Sequence, residues 1–186
     1  SLDLVLAGTG LLVLAPVLVC VAAAIRLESP GPVFFRQERI GKDNRIFRIF
    51  KFRSMYADRS DRNASALTAR NDTRVTRVGA FIRRTSIDEL PQLFNVLRGE
   101  MSIVGPRPHA LEAKAADLLY WEVDTRYRHR HSIKPGMTGL AQVRGFRGNT
   151  ECVEDLTNRL QADLEYALDW SLWRDLQIIG QTLLVL

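Results

Sequence analysis

The first 25 residues contain one long apolar segment. Between Leu4 and Ile25 the only polar side chains are those of Thr9 and Cys20, and a helix of that length measures about 33 Å, enough to cross the hydrocarbon core of a bilayer. Pro16 lies near its middle and removes one backbone hydrogen bond, which predicts a kink. Composition favours a helix that spans the membrane, whereas a sharper break at Pro16 would return the chain to the side it came from.

The pattern after this segment predicts short strands and then helices. Ser29-Pro30-Gly31-Pro32 ends the first helix, and 33–39 and 45–52, on either side of the turn 41–44, predict a β-hairpin. Leucine and phenylalanine at 90, 93, 94 and 97 predict an amphipathic helix over 89–98 that stops at Gly99. The composition of 110–130 also predicts a helix. The polar stretch 58–72 is expected to be a loop.

The chain ends in a helical pattern over 156–186, which becomes strongly apolar after Trp170. A core helix and an interfacial helix with Trp170 and Trp173 at its aromatic edge both fit this pattern. The whole pattern predicts an α+β, mainly helical fold with a small β-hairpin, divided into a membrane helix over 1–28 and a single domain over 29–186.

The distribution of charge predicts which side of the membrane the chain after the apolar segment faces. Residues 26–84 carry 15 Lys or Arg against 6 Asp or Glu, and 22 of the 26 basic residues of the chain are arginines. A basic segment directly after an apolar helix is typical of a flank that faces anionic lipids on the cytoplasmic side. Cys20 lies in the apolar segment and Cys152 lies in a polar, acidic stretch. A disulfide would have to join the membrane to water, so we expect none.

The segment Arg83–Leu93 carries the clearest candidate chemistry. Asp88 and Glu89 stand at the start of the predicted amphipathic helix, where free N–H groups and the helix dipole favour anions. An ionised Asp88 could attack phosphorus, and Glu89 could bind the Mg²⁺ that offsets the charge of a diphosphate. The structural alternative is a capping box formed by Ser86 and Glu89, or an N-cap at Asp88.

Two further motifs contain rigid polar turns. Prolines on both sides of Arg107 hold it in an extended segment that presents its guanidinium, although a solvated arginine in a turn fits the same pattern. Residues 134–142 form a second Pro- and Gly-containing loop that either holds a ligand or only turns. His129 and His131 lie among arginines and favour a solvated basic stretch over a metal site. The sequence has no Gly-rich nucleotide loop.

The order of these motifs, 29–37, 51–55, 88–92, 105–108 and 134–139 after an apolar segment with a central proline, resembles the bacterial sugar transferases, the monotopic polyprenyl-phosphate phosphoglycosyl transferases. The resemblance covers essentially the whole chain. It implies that Pro16 is the hinge of a re-entrant helix with both ends on the cytoplasmic face, and that the interfacial helices are amphipathic. Ala15 stands where many relatives have serine.

The resemblance also implies a two-step reaction. Asp88 would attack the β-phosphorus of a UDP-sugar and release UMP, and undecaprenyl phosphate would then take the sugar phosphate. Glu89 would bind Mg²⁺, and the implied substrate contacts are Lys51, Arg83, Arg107, Arg144 and Arg147. Motifs at 105–110, 142–148 and 170–173 look like those of larger relatives that start exopolysaccharide synthesis with glucose 1-phosphate.

The implied partners are therefore a UDP-sugar, undecaprenyl phosphate and the lipids of the bacterial inner (cytoplasmic) membrane. A homodimer is compatible with the sequence. Two other classes remain as alternatives. One is a non-catalytic assembly platform on the membrane, and the other is a basic nucleic-acid-binding protein, which the pI of about 9.6 suggests but which gives no reason for Asp88 and Glu89.

Overall fold

A computed structural model describes residues 2–59, 72–111, 113–115, 118–146 and 152–185. The chain is mainly helical and forms two compact units. The first comprises Ser1–Gln37 and Arg48–Gly99, and the second comprises Glu38–Phe47 and Glu100–Leu186. The predicted boundary at residue 28 concerns the membrane and stays a prediction. Most of the predicted loop 58–72 lies outside the described residues.

The apolar segment forms one helix, α1 (Leu2–Glu28). It is the one described helix long and apolar enough to cross a membrane, with a mean hydropathy of 2.6 in its most apolar window. The helix does not end at Pro16, because a proline removes one hydrogen bond and the residues after it continue the helix. The predicted break is therefore a proline inside a continuous helix. The helix ends just before the predicted Ser29–Pro32 turn, as expected.

The predicted hairpin is confirmed. Strands β1 (Phe34–Ile40) and β2 (Ile46–Phe52) form a two-stranded sheet. Asp43 and Asn44 have φ values of 55° and 58° in the turn, a conformation that Asp and Asn tolerate better than most residues.

Arg53, directly after β2, fastens the end of α1 to the hairpin. Its buried guanidinium donates to the carbonyl oxygens of Ile25, Ser29 and Pro30 at 3.2, 2.7 and 2.6 Å. These are carbonyls that the end of a helix leaves unpaired, and a cation there is favoured by the helix dipole. The carboxylate of Glu28 accepts from the backbone N–H of Val78. The membrane-type helix is therefore tied to both neighbouring elements of the first unit.

The first unit ends in three helical segments. Helix α2 (Arg77–Arg84) is capped by Thr76, whose hydroxyl accepts from the Gly79 N–H at 2.9 Å. A 3₁₀-helix (Ile87–Gln92) and α3 (Leu93–Leu97) occupy the predicted helix 89–98. Gly99 stops it with a φ of 75°.

In the second unit, two of the sequence motifs pair as parallel strands. Strand β3 (Ser102–Val104) precedes Gly105-Pro106-Arg107, and its partner β6 (Gly136–Thr138) lies in the 134–142 loop. A Cβ added to Gly136 would lie 2.1 Å from the Gly105 nitrogen, and one added to Gly139 would lie 2.2 Å from the Gly105 oxygen. Glycine is required at these positions because the two backbones touch.

The predicted helix over 110–130 is wrong. The described part of this segment contains two short antiparallel strands, one helical turn and a 3₁₀-helix: β4 (Lys114–Ala115), β5 (Leu118–Leu119), α4 (Tyr120–Val123) and Thr125–Ser132. Composition alone suggested a helix there, but no apolar periodicity supported it.

The C-terminal pattern is helical, as predicted, but it forms separate helices. After the turn α5 (Leu140–Val143) come α6 (Val153–Leu168) and α7 (Leu172–Val185). Ile178 of α7 packs with Ala162 and Tyr166 of α6 and with Val104 in a buried apolar cluster. Trp173, Leu176 and Leu184 on the other side of α7 are exposed, so one face of α7 is a core face and the other is not covered in the structure.

The predicted solvated stretch 129–131 is also half wrong. His129 is exposed, but Arg130 and His131 are buried. The guanidinium of Arg130 donates to one carboxylate oxygen of Asp163 on α6 at 3.0 and 2.6 Å, and to the Arg107 carbonyl at 2.7 Å. Its NH1 group also lies 3.1 Å from Nδ1 of His109, and that nitrogen lies 2.7 Å from the Tyr127 hydroxyl. The bond from Arg130 to the Arg107 carbonyl fixes the backbone at Arg107.

Burial makes this part of the second unit sensitive to acid. Burial and the charge of Arg130 lower the pKa of His131 to about 4, and burial together with nearby arginines lowers the pKa of His109 well below its ordinary value. In the unfolded chain a histidine titrates near pH ~6.5. The unfolded state therefore binds protons first as the pH falls, and the free energy of unfolding drops between about pH 6.5 and 4.

We expect the melting temperature of the protein to fall steadily across this pH range. In His131→Gln the fall should be shallower, because one of the buried titrating groups is gone. His129→Gln, which removes an exposed histidine, serves as the control and should leave the slope unchanged. If the melting temperature fell equally steeply with pH in all three proteins, buried His131 would not be a source of the acid sensitivity.

Candidate active site

The two candidate carboxylates lie at a turn that begins with Ser86. Ser86 has a φ of 57° and a ψ of 13° and precedes the 3₁₀-helix that contains Asp88 and Glu89. A left-handed conformation at a residue other than glycine costs on the order of 1–3 kcal/mol and is found preferentially at functional sites. Asp88 and Glu89 are both half-buried.

The capping alternative is wrong. Ser86 occupies the N-cap position, but its side chain makes no cap hydrogen bond, and Asp88 is already the second residue of the 3₁₀-helix. A capping box needs the N-cap side chain to accept from a backbone amide of the first turn. Helix capping therefore does not explain this pair of carboxylates.

Glu89 instead forms an ion pair with Lys51, the residue on β2 that the sequence analysis had singled out. The Nζ atom of Lys51 lies 2.8 Å from Oε1 of Glu89, and each side chain is 20% exposed. Partial burial strengthens such a pair relative to one on an open surface. Lys51 thereby holds the Glu89 carboxylate at a fixed place beside Asp88.

Asn95 fixes the hairpin against the helix that follows the carboxylates. Its fully buried amide accepts from the Phe50 N–H at 2.9 Å and donates to the Arg48 carbonyl at 2.8 Å. The strand that carries Lys51 is thus bonded to α3, the helix that directly follows the segment with Glu89. The sequence predicts position 95 only as part of an amphipathic helix, since a polar residue on the buried side of a helix gives no local signal of its partner.

Arg83 lies in the last turn of α2, three residues before Ser86, and its side chain is exposed. Its carbonyl accepts from the Ser86 N–H at 3.3 Å. The first unit therefore contains Lys51, Arg83, Asp88 and Glu89, two basic and two acidic residues, on adjoining elements.

The carboxylates are a suitable donor set for Mg²⁺. Among the described residues no group of three His, Cys, Asp or Glu side chains could hold a metal by itself. A Mg²⁺ ion that also takes oxygens from a substrate diphosphate needs only one or two protein carboxylates. Asp88 and Glu89 are adjacent, half-buried hard-oxygen donors of that kind.

The other predicted contacts lie in the second unit. The Arg107 backbone is fixed by Arg130. Arg107 is one of four arginines near His109, since burial and then the charges of Arg130, Arg159, Arg39 and Arg107 lower the pKa of His109. Arg144 donates to both carboxylate oxygens of Glu165 at 2.5 and 2.8 Å. Arg174 also pairs with Glu165. Arg147 lies outside the described residues.

Comparison with known proteins identifies the family of the chain. A sequence profile for bacterial sugar transferases matches residues 1–186. The chain belongs to the bacterial sugar transferase family. The family resemblance seen in the motifs is thereby confirmed.

Three curated relatives are about half identical to this family member. An undecaprenyl-phosphate glucose phosphotransferase of Komagataeibacter xylinus is 54% identical over 98% of this chain and 34% of its own length. A UDP-glucose:undecaprenyl-phosphate glucose-1-phosphate transferase of Escherichia coli K12 is 50% identical over 97% and 38%. The exopolysaccharide production protein PSS of Rhizobium leguminosarum bv. phaseoli is 48% identical over 98% and 91%. The chain thus spans between about a third and nine tenths of these relatives.

Proposed function

We propose that this sugar transferase moves glucose 1-phosphate from UDP-glucose to undecaprenyl phosphate and releases UMP, as a first membrane step of exopolysaccharide synthesis. The observation that carries the proposal is the half-buried Asp88–Glu89 pair, which capping does not explain and whose Glu89 is paired with Lys51 at 2.8 Å. The names of the relatives, two of which specify glucose, support the choice of sugar and acceptor.

In the first step a carboxylate oxygen of Asp88 attacks the β-phosphorus of UDP-glucose. A bond forms between that oxygen and phosphorus, the bond from phosphorus to the bridging oxygen breaks, and UMP leaves with the bridging oxygen. In the second step a phosphate oxygen of undecaprenyl phosphate attacks the same phosphorus, and Asp88 regains its carboxylate. The products are UMP and undecaprenyl diphosphate glucose. Splitting the transfer into two displacements is the usual benefit of a covalent nucleophile.

Lys51 and Glu89 support this nucleophile. The Lys51 ammonium lowers the electrostatic cost of bringing a diphosphate next to two carboxylates. Glu89, with Asp88 beside it, is the residue that would hold Mg²⁺, which when bound would offset the negative charge of the diphosphate oxygens. Arg83 and Arg107 remain predicted phosphate contacts, and Arg144 and Arg147 remain predicted nucleotide contacts.

The contacts of α1 support a re-entrant arrangement with Pro16 as the hinge, on the cytoplasmic face of the bacterial inner membrane. Near the N-terminal end, Ala7 is fully buried, and a Cβ on Gly10 would lie 3.5 Å from Leu93 of α3. Near the other end, Ile25 packs with Phe52 and Ile82. Both halves of the helix therefore touch the first unit, whereas a helix standing across a bilayer would carry its N-terminal half away from it.

The experiment that tests the function is a measurement of UMP release from a panel of UDP-sugars. The purified protein is incubated with UDP-glucose, UDP-galactose or UDP-N-acetylglucosamine, with and without undecaprenyl phosphate, in Mg²⁺ or in EDTA. We expect multiple turnovers only with UDP-glucose, undecaprenyl phosphate and Mg²⁺ together. No UMP release with any donor would contradict the proposal and favour the assembly platform.

Replacing Lys51 with Met is expected to reduce the rate of UMP release about 100-fold. The change leaves the Glu89 carboxylate half-buried without its ammonium partner, and removing one member of a partly buried charged pair costs on the order of 2–3 kcal/mol. Lys42→Met, which removes an exposed lysine in the hairpin turn, is the matched control and should leave the rate unchanged. A Lys51→Met enzyme as fast as the control would show that the ion pair is only structural.

A further inference from the structure

Two arginines of the first unit converge on one aromatic ring. The guanidinium carbon of Arg36, on β1, lies 4.9 Å from the centroid of the Phe50 ring, and that of Arg98, just after α3, lies 4.8 Å from the same centroid. Both side chains are exposed. Across the described ranges of the chain, neither arginine is within ion-pair distance of a carboxylate.

The arrangement is rigid enough to act as a site. Phe50 is buried, and its backbone N–H is bonded to Asn95, one turn before Arg98. The face of the Phe50 ring attracts each cation, but the two guanidinium groups repel each other, and neither is paired with a carboxylate in the described part of the chain. An anion that bridges the two groups would relieve it. Phosphate is a good match, because guanidinium presents paired N–H donors to phosphate oxygens.

The surroundings of the two arginines are apolar and exposed. Phe34 lies 6.5 Å from Phe50 between ring centroids, as does Phe94. Phe34, Phe94 and Leu97 are all about 40% exposed. A basic pair beside exposed aromatic and aliphatic side chains is the pattern of a surface at the bilayer interface.

This surface adjoins α1. Leu93, on the same short helix as Phe94 and Leu97, is the residue beside Gly10 of α1. The outward side chains of α1 include Leu12, Val13 and Val19, which are 78%, 69% and 67% exposed. On a helix that is long and apolar enough to cross a membrane, such exposure favours contact with lipid. Phe94 and Leu97 therefore belong to the short helix that contacts α1.

We propose that Arg36 and Arg98 hold the phosphate of a membrane phospholipid, while Phe34, Phe94 and Leu97 insert among its acyl chains. The proposal rests on the membrane location of α1 that forms part of the proposed function. The bound lipid is a structural phospholipid rather than the acceptor, because Phe50 and Lys51 are consecutive residues of β2 and so project to opposite faces of the strand. Lys51 reaches Glu89, and the two arginines lie on the other face. The lipid thereby fixes the depth at which the hairpin sits.

The test uses native mass spectrometry of the full chain in detergent, titrated with phosphatidylglycerol. Arg36→Gln/Arg98→Gln is compared with wild type and with Arg77→Gln/Arg84→Gln, which removes the same charge from exposed arginines of α2. We expect the double variant at 36 and 98 to retain phosphatidylglycerol about tenfold or more weakly than wild type. The variant at 77 and 84 should match wild type, and diacylglycerol, which has no phosphate, should not distinguish the proteins.

Three other results would overturn the proposal. One is equal loss in both double variants, which would indicate unspecific charge attraction. Another is displacement of phosphatidylglycerol by undecaprenyl phosphate at a tenfold lower concentration, which would make the surface an acceptor site. The third is equally effective displacement by inorganic phosphate, which would leave the apolar side chains without a role. Lipid retention is also measured with Asp88→Asn, where it should equal wild type, so failure of the transferase chemistry does not affect this result.

Discussion

An Asp88→Asn enzyme is expected to release UMP from UDP-glucose at least about 10⁴-fold more slowly than wild type, because removal of a covalent nucleophile leaves only binding and electrostatic catalysis. The amide has almost the size and shape of the carboxylate, so the 3₁₀-helix and the Lys51–Glu89 pair should persist. The measurement is the initial rate of UMP release with saturating undecaprenyl phosphate.

Asp58→Asn provides the comparison for Asp88→Asn, since it removes a carboxylate from an exposed residue of the same unit. It should keep the wild-type rate. If Asp88→Asn retained more than a few per cent of the wild-type rate, Asp88 would not be the nucleophile, and a direct single displacement would have to replace the two-step reaction.

Replacing Asp163 with Ala is expected to destabilise the protein by about 3–5 kcal/mol, the range for breaking a buried ion pair by removing one partner. The Arg130 guanidinium would be left with its charge in a site where its side chain is 1% exposed. Burial raises the pKa of Asp163, and the adjacent Arg130 opposes that rise. The buried charges of Arg130 and Asp163 are therefore tolerated only when both are present. The loss is read from denaturant unfolding of the detergent-solubilised protein.

Two variants sharpen the Asp163 prediction. Asp169→Asn removes a carboxylate that is 70% exposed and should change the stability by less than about 1 kcal/mol. Arg130→Met/Asp163→Leu removes both charges and should recover a large part of the loss, since apolar replacements of a buried pair are often tolerated. If the double variant were less stable than Asp163→Ala, the bonds of Arg130 to Arg107, His109 and Tyr127 would contribute more to stability than the ion pair with Asp163 does.

The parts of the fold that sequence predicts are those whose cause is local. Twenty-odd apolar residues make α1, and the turn residues Asp43 and Asn44 make the hairpin, since both signals lie within the element itself. Gly99 ends α3 because a left-handed residue is needed there. The close backbone contacts of Gly105 with Gly136 and Gly139 are not local, since the partners are some 30 residues apart in the chain. The sequence therefore does not predict them.

The burial of Arg130 and His131 shows the same limit for charged residues. The run Arg126–His131 is among the most polar of the chain, and solvent exposure is the ordinary expectation. Arg130 is buried instead because it pairs with Asp163, 33 positions away. No local pattern indicates that partner. The predicted helix over 110–130 failed because composition was used where periodicity was absent.

At the site, the residue types were predictable and their arrangement was not. Asp88 and Glu89 could be singled out from their place before an amphipathic helix, but the same letters fit a capping box equally well. The left-handed Ser86 decides against the capping box. The Lys51–Glu89 pair joins residues 38 positions apart, and only the family resemblance pointed to Lys51.

The most direct test of the account is the intact mass of the protein after incubation with UDP-glucose and Mg²⁺ in the absence of lipid acceptor. We predict a wild-type adduct with the mass of a hexose phosphate, located by peptide mapping to the segment with Asp88, absent from Asp88→Asn and discharged when undecaprenyl phosphate is added. UMP release and product formation without any such adduct, or an adduct that survives in Asp88→Asn, would contradict the covalent mechanism at Asp88.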